Sequence, residues 1–301
     1  IGSNLAHRLA GEGNDLLLVD THKHEQQRGN LAGLDRFAFM EHVAFARELE
    51  SGNVKPEAIF HMGACSDTTE TNWDYLRENN IEYSARLWNA CIRLGIPYIY
   101  ASSAATYGDG SAGFDDRTPP EQLHPLNLYG KSKNDFDQWA LTQKDAPPRW
   151  AGLKFFNVYG PREGYKGGMA SVVWKARKQI EETGEMTLFR SSDPAYRDGE
   201  QKRDFVFVGD CIEHMLWLWR NPHNGGVFNS GTGMARTFLD LAHAVFAAMG
   251  RKPNIRFVDM PENLKGKYQN FTQAVMTKLR AEGCTVPATS LEEGVRQSIT
   301  S

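Results

Sequence analysis

The sequence predicts an α/β protein: a doubly wound parallel sheet with helices on both faces, and a smaller second α/β body. Three observations carry this. Short apolar runs alternate with helix-length stretches at a spacing of roughly 35–40 residues, the rhythm of strand and crossover helix. The runs are continuously apolar rather than alternating, as strands buried on both faces must be. The notable polar residues cluster at the C-terminal ends of these runs, where open parallel sheets bind their ligands. With 301 residues, 41% hydrophobic and 24% charged, the chain has the composition of one large globular domain or two closely packed ones.

In order, residues 2–10 read as a helix that starts at once, and residues 15–20 as a strand ending in Asp20. Residues 57–64 form a strand running into the small-residue loop Gly63-Ala64-Cys65-Ser66. Residues 72–94 are long enough for a helix. Residues 97–103 form a strand with a polar end at Ser103, residues 127–143 a helix, and residues 150–157 a strand ending at Asn157. A helix with no strand before it is unexpected in this rhythm. It predicts that the first strand of the sheet is missing and that the chain is a fragment of a longer protein. Two neighbouring strands would then lose their partners, at about 1–3 kcal/mol for each backbone group left buried and unpaired.

Tyr129-Gly130-Lys131-Ser132-Lys133 carries the chemistry. Tyr129 and Lys133 are four residues apart, on one face of a helix. A phenol is a poor base at its ordinary pKa of about 10. An ammonium beside it favours the phenolate, so the pair predicts a lowered Tyr129 pKa and a group that takes a proton from an alcohol near neutral pH. The spacing alone is weak, since ten tyrosines give about half a chance match. The strand-end positions of Asp20, Gly63, Ser103 and Asn157 add what the spacing lacks. Capping of strands explains any one of these polar residues and explains all of them together poorly.

Composition excludes other classes. A net charge of −3 gives no basic footprint for nucleic acid, and no apolar run is long enough to span a membrane. Cys65, Cys91, Cys211 and Cys284 are scattered, with neither metal-ligand nor disulfide-framework spacing, which predicts a cytoplasmic setting. His22 and His24 have no companion ligands and read as loop residues.

Ser103, Tyr129 and Lys133, with Asn157-Val158-Tyr159-Gly160-Pro161 and Arg203-Asp204-Phe205-Val206-Phe207-Val208-Gly209-Asp210, resemble the extended short-chain dehydrogenases/reductases along nearly the whole chain. Arg162-Glu163-Gly164-Tyr165-Lys166-Gly167-Gly168-Met169-Ala170-Ser171 is more specific. Together with Thr68-Thr69-Glu70, Phe271-Thr272-Gln273-Ala274 and the run from Leu264 to Gln269, it is similar to the ADP-heptose 6-epimerase family. The resemblance implies a Rossmann-type dinucleotide-binding domain (residues 1–157 with 204–231) and a substrate domain (158–203 with 232–301). It implies a homo-oligomeric enzyme that inverts C6 of ADP-D-glycero-β-D-manno-heptose, for lipopolysaccharide core assembly, by transient oxidation with a bound NADP. Ser103, Tyr129, Lys133 and Lys166 are then catalytic. Gly2, Asp20, Thr21, Gly63, Ala64, Cys65, Ser66, Asn79 and Val158 join Tyr129, Lys133 and Lys166 around the cofactor. Asn157, Lys175, Phe189, Arg203 and Tyr268 meet the substrate. An arginine such as Arg203 suits a diphosphate through its planar fork.

The sequence departs from the family pattern in places. Of the Gly-rich turn only Gly2 is present. Gln27 and His42 stand where lysines would meet a 2′-phosphate, with Lys23 and Arg28 as substitutes, and Asp20 favours an unphosphorylated ribose, so NAD is the alternative to NADP. Residues 191–202 form a longer polar segment, expected as a loop near the substrate entrance. Two rivals remain: another sugar-nucleotide enzyme, such as a 4-epimerase or 4,6-dehydratase, and a non-catalytic dinucleotide-sensing protein. The second would be expected to lose the Tyr129–Lys133 pair and Lys166.

Overall fold

The structure is a computed structural model that describes residues 1–21, 29–261 and 269–300. It begins with α1 (Gly2–Gly11), β1 (Leu16–Asp20), β2 (Phe37–Glu41), α2 (His42–Glu50) and β3 (Ile59–His61). One long helical stretch follows, made of α3 (Trp73–Leu76), a π-helical turn (Arg77–Glu82) and α4 (Tyr83–Leu94). Next come β4 (Tyr98–Ser103), α5 (Leu128–Thr142), β5 (Trp150–Phe155), β6 (Asn157–Tyr159), α6 (Val172–Thr183) and β7 (Met186–Phe189). The chain ends with β8 (Lys202–Arg203), β9 (Phe205–Phe207), α7 (Val208–Arg220), β10 (Gly226–Ser230), β11 (Arg236–Thr237), α8 (Phe238–Ala248), β12 (Ile255–Val258), α9 (Thr277–Ala281) and α10 (Leu291–Thr300).

Four parallel strands make the main sheet in the order β10-β5-β4-β3, and β1 and β2 form a separate parallel pair. Successive strand residues serve opposite faces. Ile99, Ala151 and Leu153 join Leu5 and Leu9 of α1 and Cys211, Met215 and Leu218 of α7 in one core. Tyr98 and Tyr100 join Phe45 and Leu49 of α2, Leu87 and Trp88 of α4 and Phe136 and Ala140 of α5 in a second. A sheet buried by helices on both faces is the doubly wound arrangement expected. Between β1 and β3 no hydrogen bonds close the sheet, and both strands line one large cleft.

A third core forms the smaller body. Val173, Ala176 and Ile180 of α6 pack with Leu241, Val245 and Phe246 of α8, Leu188 of β7 and Val295 of α10. Here β7 pairs with β12, β8 with β11, and β6 with β9. The stretch carrying Ala274, Met276, Leu279 and Cys284 packs on the first core, against the strands of the main sheet. Asp204 holds the junction: its buried carboxylate accepts from the backbone N–H groups of Thr232, Gly233 and Ala274 and from the Thr232 hydroxyl.

The stretch 72–94 is helical as its sequence suggests, with one extra residue taken up in the π turn. That turn swings Asn80 inward, where it is fully buried. The cysteines are free thiols. Among the described residues no helix is long and apolar enough to cross a membrane, and no cluster of His, Cys, Asp and Glu could hold a metal ion.

Candidate active site

A cleft of about 1760 Å³ runs between β1 and β3 along their whole length, reaches the C-terminal end of β4 and continues under the loop that carries Lys166. Its floor is set by α5. Asn127 caps that helix, its side-chain oxygen accepting from Gly130 N–H at 2.8 Å. Gly130 is needed because a Cβ there would lie 2.7 Å from the Ala105 carbonyl oxygen. Its absence lets the first turn of α5 press against the strand-end segment 104–107. Ser103, at the end of β4, is thereby brought beside the Tyr129 side chain, close enough for its hydroxyl to pull the Tyr129 pKa down.

Lys133 follows one turn later and is buried, its Nζ donating to the Ala101 carbonyl at 3.0 Å. Burial pulls its pKa down to about 8, against the opposing pull of the Asp137 carboxylate. The lowered Tyr129 pKa expected from the sequence is not what this geometry gives. Burial pushes the phenol up, only the Ser103 hydroxyl works the other way, and the Lys133 ammonium is turned to the backbone of β4. His61, at the end of β3, is held neutral, its pKa pulled to about 3 by burial and by the Lys133 ammonium.

The loop Gly63-Ala64-Cys65-Ser66 lines the cleft and is anchored by Asn80. That side chain accepts from Cys65 N–H (2.8 Å) and donates to Cys65 C=O (2.9 Å) and to Ser132 Oγ on α5 (2.9 Å). One side chain thus ties the cofactor-side loop to the helix that carries Tyr129. Burial raises the Cys65 thiol pKa, so it is no thiolate. Across the cleft, Lys166 sits on a short 3₁₀ segment, Gly164–Met169. Glu163 fastens both ends of this loop by accepting from Ser171 N–H and Oγ. Arg162 holds a positive φ of 63°, strained for a non-glycine residue, and donates to Asn4 Oδ1 of α1 at 3.1 Å.

Ser103, Tyr129, Lys133 and Lys166 line this one cleft, with Gly2, Asp20, Thr21, Gly63, Ala64, Cys65, Ser66, Asn79, Asn157 and Val158. Lys175, Phe189 and Arg203 are not among its lining residues. Lys175 is exposed on α6, Phe189 ends β7, and Arg203 is buried beside the Phe238 ring, donating to the Lys202 carbonyl. Tyr268, like His22, Lys23, His24, Gln27 and Arg28, lies outside the described residues. His42 lines the cleft at the start of α2, paired with Glu41.

The lining fits a dinucleotide. Asp20 ends β1 as a ribose ligand would, and the buried Thr21 hydroxyl beside it is left without a hydrogen-bond partner. Gly2 opens α1 at the cleft, where a helix N-terminus favours phosphate. Sequence reasoning missed Asn80, Asp137 and Lys154. Asp137 continues the spacing of Tyr129 and Lys133 by another four residues, and Lys154 is a charge inside an apolar strand. Both signals were available.

A strand-end Ser, a Tyr and a buried Lys on a cleft that reaches the C-terminal ends of parallel strands are the groups of a nicotinamide-dependent enzyme acting on an alcohol. The chain belongs to the NAD dependent epimerase/dehydratase family, which residues 1–231 match. It is 49% identical to the ADP-L-glycero-D-manno-heptose-6-epimerase of Nitratidesulfovibrio vulgaris strain Hildenborough, over 99% of this chain and 94% of that one. It is 44% identical to the protein of the same name from Fusobacterium nucleatum, again over 99% and 94%. Among solved structures, the Helicobacter pylori ADP-L-glycero-D-manno-heptose-6-epimerase superposes with a TM-score of 0.84 at 26% identity, covering 99% of this chain and 91% of that one. The fold is also that of the Thermus thermophilus UDP-glucose 4-epimerase in complex with NAD (TM-score 0.79, 23% identity, 99% and 94% covered).

Proposed function

We propose that this chain interconverts the D-glycero and L-glycero forms of ADP-β-D-manno-heptose by transient oxidation at C6, with NADP as the bound nicotinamide and NAD as the alternative. The observation that carries this reading is the fastened loop bearing Lys166, which opens on the same cleft as Ser103, Tyr129 and Lys133. A bound nicotinamide supplies the acceptor for the C6 hydride and the donor that returns it.

Inversion with one hydride carrier requires the ketone to turn between the two transfers, so a proton-transfer group is needed on each face. Tyr129 serves one face and Lys166 the other. As C6 gives up its hydride, one of them takes the proton of the C6 hydroxyl and the C6–O bond becomes a carbonyl. As hydride returns to the opposite face, the other gives a proton to the ketone oxygen. The hydride taken from C6 is the one returned, so no reductant is consumed, and the two side chains regain their starting protonation by exchanging one proton each with solvent. Ser103 holds the reacting oxygen and the Tyr129 hydroxyl in line. Lys133 orients the nicotinamide ribose. The setting is proposed to be the cytoplasm, the role lipopolysaccharide core assembly, and the enzyme a homo-oligomer.

The test is incubation of the protein with ADP-D-glycero-β-D-manno-heptose, UDP-galactose and dTDP-glucose, with products separated by anion exchange and read by proton NMR. Conversion of the ADP-heptose to its C6 epimer is expected, with poor turnover of the other two. Turnover of UDP-galactose and none of ADP-heptose overturns the substrate and leaves the epimerase class. Mass spectrometry of the co-purifying nucleotide decides between NADP and NAD.

A further inference from the structure

Behind the Tyr129–Lys133 pair lies a buried polar cluster that the reaction above does not use. Asp137 is one turn beyond Lys133 on α5 and fully buried. Its Oδ1 accepts from Tyr100 OH at 2.9 Å, and its Oδ2 from Ser102 Oγ at 2.6 Å and Lys154 Nζ at 2.8 Å. Lys154, itself 2% exposed on β5, also donates to Thr106 Oγ1 at 2.7 Å. Gly152 exists as glycine for this cluster, since a Cβ there would come within 2.4 Å of the Tyr100 ring.

Side chains from α5 are therefore stitched to β4 one after another. Tyr129 meets Ser103, Lys133 meets the Ala101 carbonyl, and Asp137 meets Ser102 and Tyr100. The Lys154 ammonium fastens the far end to β5. We propose that Asp137, clamped by Lys154, is a positioning residue for the catalytic pair: it fixes α5 against β4 and supplies the buried counter-charge that keeps the Lys133 ammonium charged.

The charged and titratable groups around Lys133 and Tyr129 are few. Cys65 and His61 face them from the cleft side, and burial makes the first a thiol and the second a neutral imidazole. Tyr107 also senses Asp137, and burial raises its pKa. Asp137 is thus the carboxylate that acts on Lys133, and it opposes the effect of burial there. Removing its charge drops the Lys133 pKa further. Removing the Lys154 cation leaves the carboxylate acting on Lys133 alone, and the Lys133 pKa rises.

This inference rests on the role given to Tyr129 and Lys133 above, but its first readout needs neither substrate nor turnover. In protein labelled with ¹³Cε-lysine, the Lys133 resonance, assigned by its loss in Lys133→Arg, is titrated by NMR. Asp137→Asn is expected to lower the midpoint by about one pH unit and Lys154→Met to raise it by a similar amount. The alkaline limb of the ADP-heptose kcat profile then moves the same way, with kcat lowered about fivefold near pH 8 in Asp137→Asn and KM within twofold of wild type. A shared fall in thermal stability with an unmoved Lys133 midpoint in both variants overturns the proposal and leaves a merely structural ion pair. If Asp137→Asn does not fold, the rise in Lys154→Met decides alone. Failure of the wild type to turn over ADP-heptose bears on the substrate and leaves the titration untouched.

Discussion

Tyr129 and Lys166 approach the same cleft from different elements, one from a helix packed on the main sheet and the other from a loop leading into α6. Such an arrangement makes their losses separable from folding. Tyr129→Phe removes only a hydroxyl, and Lys166 is half-buried on a loop whose shape is set by Glu163 rather than by itself. Each of Tyr129→Phe and Lys166→Met is expected to lower kcat for ADP-heptose epimerisation at least a hundredfold, the scale of lost general acid–base help. The bound nucleotide, read by its absorbance, should remain in both. Near-normal turnover by Lys166→Met would sink the assignment of one group to each face. The residue scale is also where sequence reasoning went furthest. Tyr129, Lys133 and Ser103 stand together because helix period and strand polarity are local properties. The state of Tyr129 was not legible, because it depends on how deeply the hydroxyl is enclosed and on where the Lys133 ammonium turns.

At the scale of elements, the π turn between α3 and α4 deserves its own test. One additional residue in the helix places Asn80, rather than a neighbour, against the Cys65 backbone and Ser132. Asn80→Ala leaves a Cys65 N–H and C=O without those partners, at about 1–3 kcal/mol for each group that stays dry. An expected loss of about 2–4 kcal/mol in urea unfolding should come with weaker nucleotide binding, since the Gly63-Ala64-Cys65-Ser66 loop loses its anchor. A loss below about 0.5 kcal/mol would show that water replaces the amide and that the anchor is dispensable. The strands and helices of the main sheet were legible because continuous apolar runs and helix-length spacing survive in one dimension. Three features were not. A π turn leaves the apolar pattern of 72–94 nearly unchanged. The placement of Ala274, Met276 and Leu279 on the first core is a matter of tertiary packing. Arg203 sits in a family-like motif, yet its burial beside Phe238 follows from the pairing of β8 with β11.

For the molecule as a whole, the buried ionisable groups make stability depend on pH in a stated direction. His61 and His214 are both enclosed, His61 bonded to Ser84 and His214 to Ser230, and burial is the main cause that lowers their pKa values to about 3 and about 4. The unfolded chain takes up these protons below about pH 6.5, while the folded chain refuses them until far lower. Stability therefore rises with pH wherever the unfolded state binds more protons, and it is lost as pH falls from 6.5 toward 4. At pH 5 each histidine is about 1.5 units below its ordinary pKa, so the pair costs on the order of 4 kcal/mol relative to pH 7.5. That is a large share of a typical 5–15 kcal/mol. Lys133 acts in the same direction at the other end, because its folded pKa of about 8 lies below the ordinary lysine value, so stability grows again from about pH 8 to pH 10. Buried Asp116, Asp204 and Asp210 oppose the trend only on the acid side, since burial raises their pKa values and the folded state then binds their protons first. Urea unfolding at pH 5.0, 6.0 and 7.5 should show the midpoint climbing with pH, and His214→Asn should flatten that climb by roughly half while retaining a polar partner for Ser230. Equal midpoints at pH 5.0 and 7.5 in the wild type would mean that the two imidazoles reach water in the folded state, and that the cores built around the main sheet are looser than their packing indicates.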